Sequence, residues 1–140
     1  MKNQVLIRLL IPTFFLSSAL HAVETNNLLE GRYEYRTDTE SLEIRGKQVC
    51  FFPSKSSSKS IPRPSGDYRF PWFCFKNSEQ SAHLFGFSIN QNSNKCGFEG
   101  NAKIKISNYI RYDGEGDAND IATLDAVLKN TNPHTISCSN

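Results

Sequence analysis

Four widely spaced cysteines constrain the fold of this 140-residue chain more than any other feature: Cys50, Cys74, Cys96 and Cys138. No two of them form a C-x-x-C pair, which disfavours both a redox motif and a zinc site. In an oxidising compartment an even number of cysteines predicts a disulfide framework, and four cysteines allow three pairings. The compartment in which the chain folds therefore decides what these residues do.

The N-terminus has the three-part layout of a secretory signal peptide. Lys2 and Arg8 supply positive charge, residues 9–16 are mostly apolar, and small and polar residues follow. A retained anchor is the alternative, but the apolar stretch is shorter than the ~20 residues that a spanning helix needs. We therefore predict that residues 1–22 are a cleaved signal peptide. Residues 23–140 are then a single exported, soluble domain with no membrane span.

The positions of two predicted turns favour one of the three possible cysteine pairings. Cys50 and Cys74 are equidistant from a proline-rich turn, and Cys96 and Cys138 are equidistant from a glycine-rich one. Antiparallel strands place residues equidistant from their turn side by side, within the separation that a disulfide requires. The sequence therefore predicts two bridges, Cys50–Cys74 and Cys96–Cys138, each contributing roughly 3–4 kcal/mol in the chain-entropy model.

Charge is balanced overall but unevenly distributed. The predicted signal peptide holds two of the 16 bases and none of the 14 acids, so the mature chain has no net charge. Bulk charge thus gives no reason to expect nucleic-acid binding. Residues 45–76 nevertheless hold seven bases and one acid, and residues 113–125 hold five acids and no base. Such blocks usually mark solvated loops.

Alternation of apolar and polar residues dominates the first half of the mature chain. It predicts strands at residues 31–36, at 42–52 with a bulge or tight bend at Gly46, and at 68–75. Pro71 makes the last of these an edge strand or a bulged one. The serine-rich and proline-rich residues 53–67 are predicted as a loop.

The second half of the chain predicts one helix and two strands. The helix begins after Asn77 and ends at Gly86, with Ala82 and Phe85 facing the core. A strand follows, with one apolar side: Ala102, Ile104, Ile106 and Ile110. Residues 120–129 fit both a helical and a strand pattern, and we favour a strand because the Cys96–Cys138 bridge needs a hairpin partner.

These elements define a mainly β fold with one short helix. Their order is strand, strand, strand, helix, strand, strand, which is the order of a small five-stranded OB-like barrel, here stapled by two disulfides. Another disulfide-bonded β sandwich or an α+β domain is the alternative. The fold alone implies no function.

Signatures of catalysis and of metal binding are missing from the sequence. Neither His83 nor His134 lies in a metal-binding or nucleophile-activating motif, and the thiols are expected to be consumed in disulfides. The acidic residues 113–120 resemble the opening of a calcium-binding loop, but Ala118 and Leu124 stand where Gly and Glu are required. We expect no catalytic residue, no metal and no cofactor, and we interpret residues 113–120 as an exposed hairpin loop.

Aromatic and basic residues coincide in one part of the chain, and this coincidence gives the candidate binding site. If residues 68–75 alternate, Tyr68, Phe70 and Trp72 share a face. With the neighbouring cations, the predicted ligand-binding set is Lys55, Lys59, Arg63, Tyr68, Arg69, Phe70 and Trp72. A solvated serine-rich spacer beside a core tryptophan is the plain alternative.

The expected function is that of an exported, non-catalytic binding or inhibitor protein of the bacterial envelope, either periplasmic or secreted. Its expected partner is another envelope protein or an anionic ligand, such as an acidic protein surface, a glycan phosphate or, least expected, an oligonucleotide. One alternative is a small secreted hydrolase or toxin. The other is a structural or stress-related envelope protein with no defined ligand.

Overall fold

The computed structural model describes residues 28–90, 95–114 and 119–138; the predicted signal peptide lies outside these ranges. The chain is mainly β, as expected. Its elements are β1 (Leu28–Arg36), α1 (Thr39–Arg45), β2 (Val49–Pro53), α2 (Lys55–Ser58), β3 (Phe73–Phe75), α3 (Ser78–Phe85), β4 (Gly97–Ile110), β5 (Asp120–Asn130) and β6 (His134–Thr135). None of the helices within the described ranges is long and apolar enough to cross a membrane.

Five of the strands close into a ring. β1 pairs antiparallel with β2 on one edge and with β4 on the other, and β2 continues antiparallel to β3. β5 closes the gap by pairing parallel to β3 and antiparallel to β4. The ring order is therefore β1-β2-β3-β5-β4 and back to β1, with the short β6 added to the beginning of β4.

The core lies inside this ring and is rich in aromatic residues. The ring strands contribute inward-facing side chains that are buried, among them Tyr33 and Tyr35 of β1. Helix α3 contributes Phe85, whose ring stacks on that of Tyr33 with centroids 4.0 Å apart. The remaining buried apolar side chains come from all five ring strands and the segments between them: Leu29, Val49, Phe51, Ile61, Phe73, Phe75, Ala82, Phe87, Ala102, Ile104, Ile106, Ala122 and Leu124.

The prediction of a strand at residues 42–45 is wrong, because this segment belongs to α1. The carboxylate of Asp38 accepts a hydrogen bond from the backbone N–H of Ser41 at 3.0 Å and caps the helix. Gly46, with φ of 62°, ends it. The four alternating residues 42–45 were therefore too short a pattern to identify a strand. Asp38, a residue type that caps helices, was the stronger indication of the local structure.

The third strand is also shorter than predicted. β3 spans Phe73–Phe75 instead of residues 68–75, and the predicted loop before it contains the short helix α2. The prediction that Pro71 makes this an edge or bulged strand is wrong, because Pro71 lies before β3 and β3 is paired on both edges, with β2 and with β5. The described part of the chain thus has three helices, where the sequence predicted one.

Predictions for the second half of the chain are largely confirmed. α3 ends at Gly86 in the left-handed conformation, Ala82 and Phe85 are buried, and residues 120–129 form β5. Ile110 is the exception, since it is 55% exposed. Asn108 has a positive φ of 50° and the register shifts after Ser107, which turns the end of β4 outward.

Both predicted disulfides are present. Cys50 and Cys74 are directly opposed residues of β2 and β3, and their sulfur atoms are bonded. Cys96, which precedes β4, is bonded to Cys138 in the segment after β6. Two disulfides indicate an oxidising, extracytoplasmic environment.

Asn77 is the N-cap residue of α3, but its side chain makes no capping hydrogen bond and instead joins the helix to β5. Its side-chain amide donates to the backbone carbonyl of Leu124 at 3.0 Å and accepts from the N–H of Leu124 at 3.0 Å. The Asn77 side chain therefore pairs with both backbone groups of Leu124, as a residue of a neighbouring strand would. The side-chain carbonyl of Gln80 accepts a hydrogen bond from the same Asn77 amide at 3.1 Å.

We expect Asn77→Ala to lower the free energy of unfolding by about 2 kcal/mol, because both backbone groups of buried Leu124 lose their partner. Urea denaturation of the protein measures this change. The matched control is Gln80→Ala, which leaves Leu124 paired and should change stability by no more than about 0.5 kcal/mol. Equal losses for the two variants would contradict the assigned role of Asn77.

Candidate binding surface

The aromatic residues between positions 51 and 75 divide into two sets. Phe51, Phe73 and Phe75 point into the ring and are fully buried. The other four lie outside the core: Phe52, Tyr68, Phe70 and Trp72. We name these four residues the aromatic surface.

A cross-strand row forms one part of the aromatic surface. Phe52 of β2 stacks on Trp72, with centroids 5.5 Å apart and planes inclined by 11°. On the other side, the guanidinium of Arg32, which is opposite Phe52 in the β1–β2 pairing, lies 4.7 Å from the Phe52 ring centroid. Cation–π and ring stacking thus hold Arg32, Phe52 and Trp72 in a layered arrangement on the outside of the ring.

Glu34 lies on the outside of β1, two residues after Arg32, and organises three arginines. It is only 4% exposed, and it bonds to Arg32, to Arg36 at 3.1 Å and to Arg45 of α1 at 3.0 Å. Burial opposes ionisation of Glu34, but the hydrogen bonds from Arg32 and Arg45 and the charge of Arg36 outweigh it and lower its pKa. This cluster fastens α1 to β1.

A second ionic cluster is centred on Asp67 in the β2–β3 connection. Arg69 donates to the two carboxylate oxygens of Asp67 in a bidentate pair, at 2.9 Å each. Arg63 lies 3.2 Å and Arg111 3.7 Å from the same carboxylate. The hydrogen bonds from Arg69, with its charge and that of Arg63, hold the pKa of Asp67 well below its usual range.

Asp120, the first residue of β5, is linked to this cluster through Arg63. It is 2% exposed, and it contacts Arg63 at 2.5 Å, the hydroxyl of Tyr109 at 2.5 Å and the backbone N–H of Tyr112 at 2.8 Å. Burial and the hydrogen bond to Asp120 raise the pKa of Tyr109, so that its hydroxyl remains a donor. The β2–β3 connection is thereby fixed to the ends of β4 and β5.

The predicted binding residues fall into three groups in the structure. Arg63 and Arg69 are engaged in the Asp67 cluster. Lys55 and Lys59 are exposed, and neither has an ion-pair partner among the described residues. Tyr68 is 94% exposed and Phe70 is 48% exposed, whereas Trp72 is half-buried against Phe52.

Sequence reasoning missed Arg32 and Phe52 as members of this surface. Both occupy outward positions of correctly located strands, and Phe52 directly follows the buried Phe51. Two consecutive phenylalanines in a strand cannot both face the core, which was the available signal.

Groups that would support catalysis are dispersed in the described ranges. His83 and His134 are exposed on α3 and β6. His83 and Glu79 line an open groove of about 830 Å³ along α3, and no hydrogen bond joins them. Within the described residues, no three His, Cys, Asp or Glu side chains are arranged to hold a metal ion. Residues 113–120 were predicted as an exposed hairpin loop, and residues 115–118 of this segment lie outside the described residues.

Comparisons with protein-family models, with curated proteins and with solved structures found no match for this chain. The functional inference therefore depends on the geometry of the described residues alone.

The lowered pKa of Glu34 makes a testable contribution to stability. Because the folded-state pKa lies below that of the unfolded chain, about 4.3, the contribution is complete above that pH and is lost as pH falls through the folded-state value. We expect Glu34→Gln to reduce the free energy of unfolding at pH 7 by about 2 kcal/mol. The variant should also lose less stability than the wild type between pH 6 and pH 3.

Urea denaturation across this pH range makes the measurement. Glu99→Gln is the control. Glu99 pairs with Arg32 at 3.1 Å, both side chains are 41% exposed, and such a solvent-accessible pair contributes at most about 1 kcal/mol. A Glu34→Gln variant with the wild-type pH dependence would show that the Glu34 carboxylate does not stabilise the fold through its charge.

Proposed function

We propose that this chain is an exported, non-catalytic binding or inhibitor protein of the bacterial envelope, acting in the periplasm or in the medium. The observation that carries the proposal is the aromatic surface. A domain of this size needs its large apolar side chains for the core, yet Phe52, Tyr68, Phe70 and Trp72 lie outside it. A group of apolar side chains left on the surface beside charged residues is typical of an interaction site.

The proposal includes an OB-like barrel as the architecture. It is supported by the closed strand order, by the parallel pairing of β3 with β5 and by the position of α3 between β3 and β4. In OB-like barrels the outward face of the second and third strands binds ligands. In this chain that face bears Phe52 and Trp72.

The proposed surface has less positive charge available for a ligand than its number of basic residues implies, because its arginines are paired with carboxylates. Three arginines near Tyr68 converge on Asp67, and one of them also pairs with Asp120. Within the described ranges, Lys55 and Lys59 are therefore the cations of the predicted set that have no ion-pair partner. Aromatic contact supplies most of the proposed affinity, and the lysines favour an anionic group beside it.

A capture experiment tests the proposed function. The mature protein is immobilised and exposed to an envelope extract of the organism that produces it, and the retained components are compared among variants. We expect the double change Tyr68→Ser and Phe70→Ser to abolish retention of a component that the wild type retains. The fold should survive, because neither side chain belongs to the core.

The matched control is the double change Leu84→Ser and Leu128→Ser, which removes two other exposed apolar side chains, 43% and 54% exposed, from α3 and β5. Retention should persist in this control. A component retained equally by both double variants would place the binding site elsewhere. Charge reversal at Lys55 and Lys59 tests the lysines, since the same change at Arg63 or Arg69 would break the Asp67 cluster.

A further inference from the structure

We infer that residues 61–70 form a preordered loop that inserts the Tyr68 side chain into a concave pocket of a partner protein, and that Asp67 is the positioning residue of this loop. The inference rests on the proposed function and narrows it. It names a protein as the partner, one side chain as the anchor and one ionic cluster as the device that holds the anchor in place.

The loop is fixed at several points along its length. Ile61 is buried in the core at its beginning, and the Cys50–Cys74 disulfide joins the two strands that the connection links. Arg63 bonds to Asp67 within the loop and to Asp120 in the ring. The proline residues Pro62 and Pro64 restrict the backbone further.

Hydrogen bonds and ion pairs hold the residues on both sides of Tyr68. Asp67 receives three arginines, and Arg69 adds a 2.7 Å hydrogen bond to the backbone carbonyl of Tyr112. The backbone N–H of Arg69 also donates to Asp67 at 3.2 Å. Between them Tyr68 is 94% exposed. The cluster therefore fixes the backbone on both sides of a side chain that makes no contribution to the core.

This arrangement has the properties of an interface anchor. Tyrosine offers a large rigid contact area with few rotatable bonds, and such residues dominate binding when they fill a pocket of the partner. A loop that is already ordered loses less conformational entropy on association. The pocket that fits has apolar walls for the ring and a polar group for the phenol hydroxyl.

The same contacts argue against a phosphate-bearing ligand at this loop. Recognition of phosphate by arginine depends on a free guanidinium fork. The fork of Arg69 is occupied by Asp67 and Tyr112, and that of Arg63 by Asp67 and Asp120. Among the described residues Tyr68 stacks on no other ring, so it does not extend the Phe52–Trp72 stack into a platform for successive sugars or bases. A protein pocket is the partner that the geometry favours.

Site-specific photo-crosslinking identifies the partner. The full chain carrying a photoreactive phenylalanine at position 68 is produced in its own organism and irradiated, with the same residue at exposed position 84 as control. We expect a protein adduct of defined mass from position 68 and none from position 84. Absence of a protein adduct at position 68 would overturn the inference.

Titration of the cross-linked partner, once purified, then tests the anchor and its support. Tyr68→Ala should weaken binding at least about 30-fold, whereas Tyr68→Phe, which keeps the ring, should stay within about 5-fold. Asp67→Asn keeps Tyr68 but should weaken binding about 10-fold while increasing amide hydrogen exchange of residues 61–70 in the free protein.

The outcomes separate this inference from the proposed function. If Tyr68→Ala binds as tightly as the wild type while the Tyr68 and Phe70 double serine variant still fails in the capture experiment, the aromatic surface binds but Tyr68 is not the anchor. If Asp67→Asn loosens the loop without weakening binding, Asp67 is not a positioning residue. Arg69→Lys, which keeps the charge but loses the bidentate pair, should repeat the effect of Asp67→Asn in a weaker form.

Discussion

The pairing of β1 along both of its edges is the constraint on which the structure depends. β1 pairs with β2 through its central residues and with β4 over its whole length, so that the sheet closes and β1 has no free edge. Closure divides every strand into inward and outward residues. It also brings backbones close together: a Cβ on Gly97 would lie 1.9 Å from the carbonyl oxygen of Tyr35. Glycine at position 97, with φ of 140°, is therefore required where β4 begins.

Closure also limits how many aromatic side chains the core can hold. The interior already contains Tyr33, Tyr35, Phe85 and three phenylalanines from β2 and β3, packed with centroid distances of 4.0 to 6.3 Å. Phe52 and Trp72 occupy outward positions and stack on each other instead. An apolar residue on the outside of a closed ring buries less surface and so stabilises the fold less than one on the inside. Because folding does not account for Phe52 and Trp72 in these positions, we assign the proposed function to them.

Features set by local spacing were predictable from the sequence, and those set by distant contacts were not. The cysteine pairs followed from positions symmetric about a turn, and α3 followed from its terminal residues Asn77 and Gly86. α1 was mistaken for a strand because four alternating residues satisfy both patterns once a cap at Asp38 is overlooked. The double hydrogen bond from Asn77 to Leu124 left no signal at all, since it joins segments far apart in the chain.

At the candidate site, too, the sequence did not show which charged side chains pair with one another. The count of basic residues identified residues 45–76 as a segment rich in bases. It could not reveal that Arg63 pairs with Asp120, which belongs to the acidic residues 113–125. The two blocks of opposite sign are thus joined by this ion pair, while Asp67, the one acid of the basic block, pairs with Arg63 and Arg69. Once the arginines are assigned to this internal role, the predicted residues that the segment still presents to solvent are Tyr68 and Phe70, together with Lys55 and Lys59. The charges then order the loop, and the aromatic rings remain free to bind.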